Sequence, residues 1–600
     1  MASRVRPRKI KVEPVLQAAP ATERTVPPRD RRMQAVRRRL VDRWGIIAPH
    51  SLVLVGLYLL FALLARALTF GRVQRSALLY ALIALAGLLF VGMIVAFAWT
   101  LWRALRELGG REARDGWRPI LAGAFGAGLC LLTLPRLFSK DVLSYLVYGR
   151  AFGAYGLNPY TTTPNNMQFD FNFRLIDWHD AVSVYGPVWT LLCTALYKVV
   201  APLATTNIWG YIVSFRMLGL AFHLGNAALI WLILGHLHPR DQLAGTIFYA
   251  WNPLALIEFA GNGHNDAGLI FFLLAAIAAL VAERPRPWLV ALLLALSVLT
   301  KFITLLIVPA YLLLLWRTTP PEYGRDLGRW LARVRRRRVP ATGDGAVSTP
   351  PSATGRVDWR LFRARVLAFG TAGAVGLGTF AILWAPFASA LRNPLFLLGS
   401  SAASKYENSL LQLVYWSVRG LFAAVLPSGV NAEIAGVLVM TAGRLAFLAI
   451  WLVLTWRSRD VTSWLHSSFW ILSGYLVLAT PWFWPWYVTW LVALAPLVSG
   501  RLVTATTFTF SASVLVFYVL WGNQLPFDRG SVYPVHNVVA FGLPMLALWL
   551  QLRRGGAAEA PIYAPQAADV DALPHDGDGT PGRAQTERAR ARRAAPAPIK

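Results

Sequence analysis

The chain has 600 residues, 56% of them hydrophobic and only 15% charged, with a formal net charge of +30. Apolar runs longer than about 18 residues recur through its middle, which excludes a soluble globule and indicates an all-α polytopic membrane protein. The positive balance does not point to nucleic acid, because the arginines gather in the two ends and in short links between apolar runs, as in cytoplasmic loops.

Residues 1–49 read as a basic, proline-containing, disordered cytoplasmic tail, and no cleavable signal peptide precedes the first apolar run. Apolar spans follow at 50–69, 77–101 and 119–137. The link carrying Arg103, Arg106, Arg111, Arg114 and Arg118 fixes its side as inside, so the third span leads outward. An outer loop, 138–187, comes next and opens with Asp141. Later spans read as 209–235, 243–260, 266–282, 287–316, 366–388, 431–456, 462–480, 486–499, 502–521 and 535–552. The transmembrane domain then covers 50–552, with a cytoplasmic basic loop at 317–365 and a disordered tail at 553–600. Arginine-bearing links keep their sides only if 185–202 and 410–426 lie in the interface, giving about 14 crossings and both ends inside.

The run 287–316 has links of cytoplasmic character at both ends. It then enters and returns as two arms of about 15 residues, or about 22 Å each, short of a hydrocarbon core of about 30 Å; the alternative is a single tilted helix, which would put one arginine-rich link outside. Lys301 lies at the apex of these arms, presented to the floor of an outward cavity; a snorkelling lysine is the plain alternative.

On a helix starting at Asp141, Ser144, Tyr145 and Tyr148 share one face with the carboxylate. A carboxylate beside hydroxyls at a membrane surface suits a general base; the plain alternative is an acid that caps an interfacial helix. Arg150, Arg174, Glu258, His264, Asp266, Lys405 and Glu407 also fall near the outer face, whereas Arg444 and His223 sit mid-span. Ion-coupled transporters concentrate such groups at the midplane, so this distribution favours an outer-leaflet enzyme over a transporter. The GNGHNDA link, Gly261–Ala267, turns Asn265 and Asp266 toward the same side as Asp141, or else its carboxylate caps the next helix. Asp177, His179 and Asp180 have ligand chemistry for a divalent cation but no motif spacing, so no cofactor is expected. The run PWFWPWY, Pro481–Tyr487, is an aromatic belt, a groove for an isoprenoid, or a stacking surface for a sugar; it offers Trp484 and Tyr487. Cys130 and Cys193 fall in apolar stretches, with neither a disulfide nor a metal thiolate indicated.

The segments KDVLSYLVYGRAFGAYGLNPY, SVYGPVW, WNPLALIEFAGNGHNDA, LTKF and PWFWPWYVTW together resemble the GT-C superfamily of polyprenol-phosphate-sugar-dependent glycosyltransferases. They are most similar to the bacterial alpha-1,6-mannosyltransferases, over roughly residues 119–500. The resemblance implies a GT-C fold in the bacterial cytoplasmic membrane, with the active site facing outside. It implies transfer of a hexose, mannose above all, with inversion from a polyprenyl-phosphate-sugar to a glycan or glycolipid. The family's first-loop acid corresponds to Asp141, while the second acid that many relatives carry beside it is here Lys140. Lys301 is the expected phosphate-binding cation, with Lys405 and Arg150 next, and Tyr145, Tyr148, His264, Asn265, Asp266, Trp484 and Tyr487 complete the substrate-binding set. The reading from a different class is a lipid-linked saccharide flippase without bond chemistry.

Overall fold

A computed structural model describes residues 47–70, 77–107, 113–135, 139–323, 358–392, 406–498, 500–521 and 529–553. Both tails, most of the basic loop, and Lys405 lie outside the described residues. Among the described residues the fold is helical, and the only strand-like pairing is one isolated bridge between Glu407 and Trp482.

Among the described residues, seven helices are long and apolar enough to cross a membrane, or eight if one bent pair counts as a span, and five shorter apolar helices accompany them. A hydrocarbon environment offers no partner for bare N–H and C=O groups, so each crossing closes its own hydrogen bonds. Large apolar side chains such as Leu88, Leu377, Ile382 and Val453 point outward, as lipid contact requires.

The first three helices are α1 (Ala48–Phe70), α2 (Ala77–Glu107) and α3 (Ala113–Leu132), matching the first three expected spans. Arg216, fully buried, donates to the carbonyls of Leu132 and Leu134 at 3.1 and 2.7 Å. It thereby satisfies carbonyls that the end of α3 leaves without a helical partner. The chain then turns into α4 (Asp141–Tyr155), followed by an irregular loop and α5 (Pro187–Ala204). Helix α5, expected to lie along the interface, also has the length and apolarity of a span and packs on α4.

After α6 (Ile208–Leu237) and α7 (Gln242–Ala250), two regular spans were expected where the structure has interruptions. Asn252 stops α7; its side-chain oxygen accepts from the backbone of Leu254 and Ala255, restarting the helix as α8 (Pro253–Leu256). That helix widens into a π turn at Ile257–Gly261, and α9 (Asp266–Val281) leaves at 117° across the Asn262–Asn265 link. The run 287–316 breaks at Lys301, which is extended (φ −155°, ψ 126°) between α10 (Pro287–Thr300) and a 3-10 turn leading into α11 (Val308–Thr318).

Beyond the basic loop stand α12 (Trp359–Trp384), α13 (Leu410–Phe422), α14 (Ser428–Arg457) and α15 (Val461–Gly474). With 13 residues, α13 is too short to cross by itself. Asp460 and Ser463 form a reciprocal capping box that starts α15. A second π turn, Tyr475–Ala479, ends α15 and feeds the PWFWPW link. Helices α16 (Val488–Val498), α17 (Arg501–Ser513), α18 (Val516–Trp521) and α19 (Arg529–Arg553) complete the fold. π turns are rare and concentrate at functional sites, and both here lead directly into links singled out by the sequence.

Candidate active site

The link before Asp266, the break at Lys301, the aromatic link before α16 and the start of α4 come together. Asp141 is the first residue of α4, not its cap: the flanking Lys140 makes no side-chain capping bond, and the Asp141 N–H itself donates to the Ser139 hydroxyl at 3.2 Å. The carboxylate faces the interior, half-buried, with the Tyr185 hydroxyl donating to it at 3.5 Å. Removal from bulk water pushes its pKa up to about 6, against the pull of the nearby Lys301 ammonium; the Asp266 carboxylate adds to the rise.

Asp266, at the first turn of α9, is almost wholly buried and fully engaged. Lys301 Nζ reaches its two carboxylate oxygens at 2.8 and 2.9 Å, and Trp490 Nε1 donates to Oδ1 at 2.6 Å. The ammonium also lies 4.9 Å from the Tyr487 ring centre and 5.5 Å from that of Trp490, within range of cation–π attraction. Lys301 points inward to this group instead of snorkelling away.

The short motifs build the supports. Gly186 of the YGP motif donates its N–H to the Thr300 carbonyl at 3.1 Å. A Cβ there would stand 2.0 Å from the Leu299 carbonyl oxygen, so only glycine lets the loop before α5 touch the end of α10, immediately before Lys301. Within GLNPY, the Asn158 side chain accepts from the Tyr160 backbone at 3.0 Å, and the Tyr160 hydroxyl donates to the Tyr185 carbonyl at 2.9 Å. These bonds hold Tyr185 beside Asp141; burial keeps its phenol protonated by raising its pKa well above the ordinary value. Gly263 takes φ +73°, a conformation open to glycine, and lies against Val142, the residue after Asp141. Asn265 exchanges contacts with the Tyr145 hydroxyl, both at 3.3 Å.

Other expected residues stand apart from this group. Tyr148 donates to the Ala181 carbonyl at 2.8 Å and braces the loop. Arg150 is committed to Asp170 at 2.7 Å and the Tyr155 hydroxyl at 2.7 Å, with its guanidinium 4.4 Å from the Phe171 ring centre. His264 is fully buried, its ring edge-on to Trp486 and Nδ1 3.4 Å from Glu258. Glu258, read as an outer-face residue, is sealed in the first π turn with Asn262 and Tyr518 hydrogen-bonded to it. Trp484 stacks on Trp486 at 5.0 Å. The three residues with ligand chemistry are dispersed: Asp177 pairs with Lys140, Asp180 with Asn165, and the His179 ring with the Phe173 carbonyl. Among the described residues no group of three metal-ligating side chains is found.

Sequence reasoning did not single out Trp490 or Tyr185 individually, although both fall in quoted motifs. The spacing of Tyr487 and Trp490, three apart on one helical face, was the available signal for a paired aromatic cradle.

Residues 45–318, which contain Asp141, Asp266 and Lys301, match the family described as alpha-(1->6)-mannopyranosyltransferase, N-terminal domain. Over those residues the chain is similar to a mannosyltransferase domain. It is 26% identical over 447 residues to alpha-(1->6)-mannopyranosyltransferase A of Mycobacterium tuberculosis, covering 72% of this chain and 75% of that protein. No solved structure matches. The match ends at Thr318, so the aromatic cradle contributed by Tyr487 and Trp490 lies outside the matched residues.

Proposed function

We propose that the chain transfers mannose from a polyprenyl-phosphate-mannose to a hydroxyl of a glycan or glycolipid at the outer face of the cytoplasmic membrane, with inversion. The sugar phosphate brings its own leaving group, so one base suffices and no cofactor takes part. Asp141 removes the acceptor proton, the freed oxygen attacks the anomeric carbon, and the bond to the phosphate oxygen breaks. Lys301 compensates the charge on the departing phosphate.

The observation that carries this reading is the contrast between the two carboxylates. Asp266 is saturated by Lys301 and Trp490, which suits an anchor, whereas among the described residues Asp141 is hydrogen-bonded by hydroxyl groups and has a raised pKa, which suits a base. Two of the three ammonium protons of Lys301 are directed at Asp266, leaving a third donor for an anion. The mannose of the donor and product is supported by the similarity to the mycobacterial mannopyranosyltransferase.

The test is transfer from radiolabelled polyprenyl-phosphate-mannose to membrane acceptors by wild type and Asp141→Asn. Loss of transfer in a normally folded variant supports the reading. Undiminished transfer would move the base to another residue, and no transfer by either protein would favour a flippase.

A further inference from the structure

The aromatic side chains around the site form a continuous series that extends beyond the reacting groups. Trp178 meets Trp482 at 5.6 Å between ring centres, Trp482 meets Trp484 at 6.0 Å, and Trp484 meets Trp486 at 5.0 Å with planes 7° apart. Trp486 then meets Tyr487 at 5.8 Å, and Tyr487 meets Trp490 at 4.9 Å, where the series reaches Asp266 and Lys301. Its other end returns to the same site: Asp177, next to Trp178, is held at 2.6 Å by Lys140, next to Asp141. Trp490 and Trp486 are buried, with the half-buried Tyr487 between them, while Trp484, Trp482 and Trp178 are partly open.

The backbone explains why alternate rings face outward. The link is extended and pinned, with Glu407 donating to the Pro481 carbonyl at 2.9 Å and Phe483 donating to the Glu407 carbonyl at 3.0 Å. Successive side chains of an extended segment point to opposite sides. Phe483 goes inward, stacked on Phe510 and packed on Phe541, so Trp482 and Trp484 share the opposite side, where Trp178 of the loop joins them.

We propose that Trp178, Trp482 and Trp484 form an acceptor subsite that stacks on the pyranose rings of an oligosaccharide chain, away from the sugar that reacts. This deepens the transfer reading and rests on it for the word acceptor. The negative face of an aromatic ring attracts the electropositive C–H bonds on a sugar face, while the sugar's hydroxyls remain for polar neighbours. Those neighbours are present: Lys140 and Asp177 are each more than half exposed, and Asp180 and Asn165 form a second exposed polar pair. A prenyl chain on the same rings would strip water from these groups without offering a hydrogen bond, an unfavourable exchange.

The test uses the purified full chain and synthetic mannosides of one to six sugars. Calorimetric titration with the longest mannoside should give saturable binding, weakened by about tenfold or more in the Trp178→Ala/Trp482→Ala variant, with Trp482→Phe losing less because it keeps a ring. In the transfer assay the ratio of kcat/KM for long over short acceptors should fall in parallel, with the KM for the donor unmoved. Ring-dependent binding without transfer by wild type would overturn the transferase reading and leave a saccharide site. Oligosaccharide binding untouched by the double variant, or a loss of affinity for polyprenyl phosphate instead, would overturn the subsite.

Discussion

Lys301 grips both oxygens of Asp266, at 2.8 and 2.9 Å, from an extended residue that interrupts two helical segments. A buried pair of this kind is costly to assemble, and removing one partner strands the other. Lys301→Met and Asp266→Asn should each abolish most transfer and lower the melting temperature in detergent. The double variant Lys301→Met/Asp266→Leu should recover part of the lost stability with none of the activity, as thermal unfolding and the transfer assay will read.

Asp141 has a pKa pushed up to about 6, so the base is ionised above that value and protonated below it. Transfer measured as kcat/KM should therefore fall as pH drops through about 6, on the acid limb of the profile. For stability the sign is opposite. The folded protein holds this proton more tightly than the unfolded chain, so Asp141 detracts from stability as pH rises through the window from 3.8 to about 6. Asp141→Asn should thus be inactive and slightly more stable than wild type at pH 7, which matched thermal melts will show.

Gly186→Ala places a methyl group 2.0 Å from the Leu299 carbonyl oxygen. Backbone on both sides of this contact has no rotamer to yield, so we expect a lower melting temperature and at least about a tenfold loss of transfer. Gly370→Ala, at a helical glycine with nothing within 4 Å of the added carbon, serves as the matched control and should be neutral or mildly stabilising.

Arg150→Met separates a structural role from a phosphate-binding one. The guanidinium already satisfies Asp170 and Tyr155, so its removal should cost about 2 kcal/mol of stability by leaving the buried Asp170 carboxylate without its cation, held only by the Tyr155 hydroxyl and the Asn172 N–H. The KM for the lipid-linked donor should stay within about twofold of wild type. A selective rise in donor KM, with stability intact, would assign Arg150 to the phosphate instead.

The apolar runs made the helical membrane fold legible, because hydropathy and arginine placement act over whole segments. The break at Lys301 was also readable, since thirty apolar residues between two basic links are difficult to lay out as one simple crossing. The partners of Lys301 were not. Asp266 lies 35 residues away and Trp490 farther still, and only long-range packing brings them together. Arg150 shows the converse: its charge was visible in the sequence, but not that Asp170 and three aromatic rings would use it first. The two π turns left no periodic signature, because one wide turn hardly alters the spacing of apolar residues.

Those turns make the site depend on residue count as well as residue type. Residues advance about 100° around an α-helix axis, and a π turn absorbs one extra residue, so deleting one position from the α turn that precedes Ile257–Gly261 or Tyr475–Ala479 while the π turn is kept would rotate everything beyond it by that amount. The GNGHND link would then aim Asp266 away from Lys301, and the aromatic link would turn Trp482 and Trp484 off their shared side. A one-residue gap at either place, in a natural relative or a designed variant, therefore signals a different orientation of the reacting groups even where every named side chain is retained.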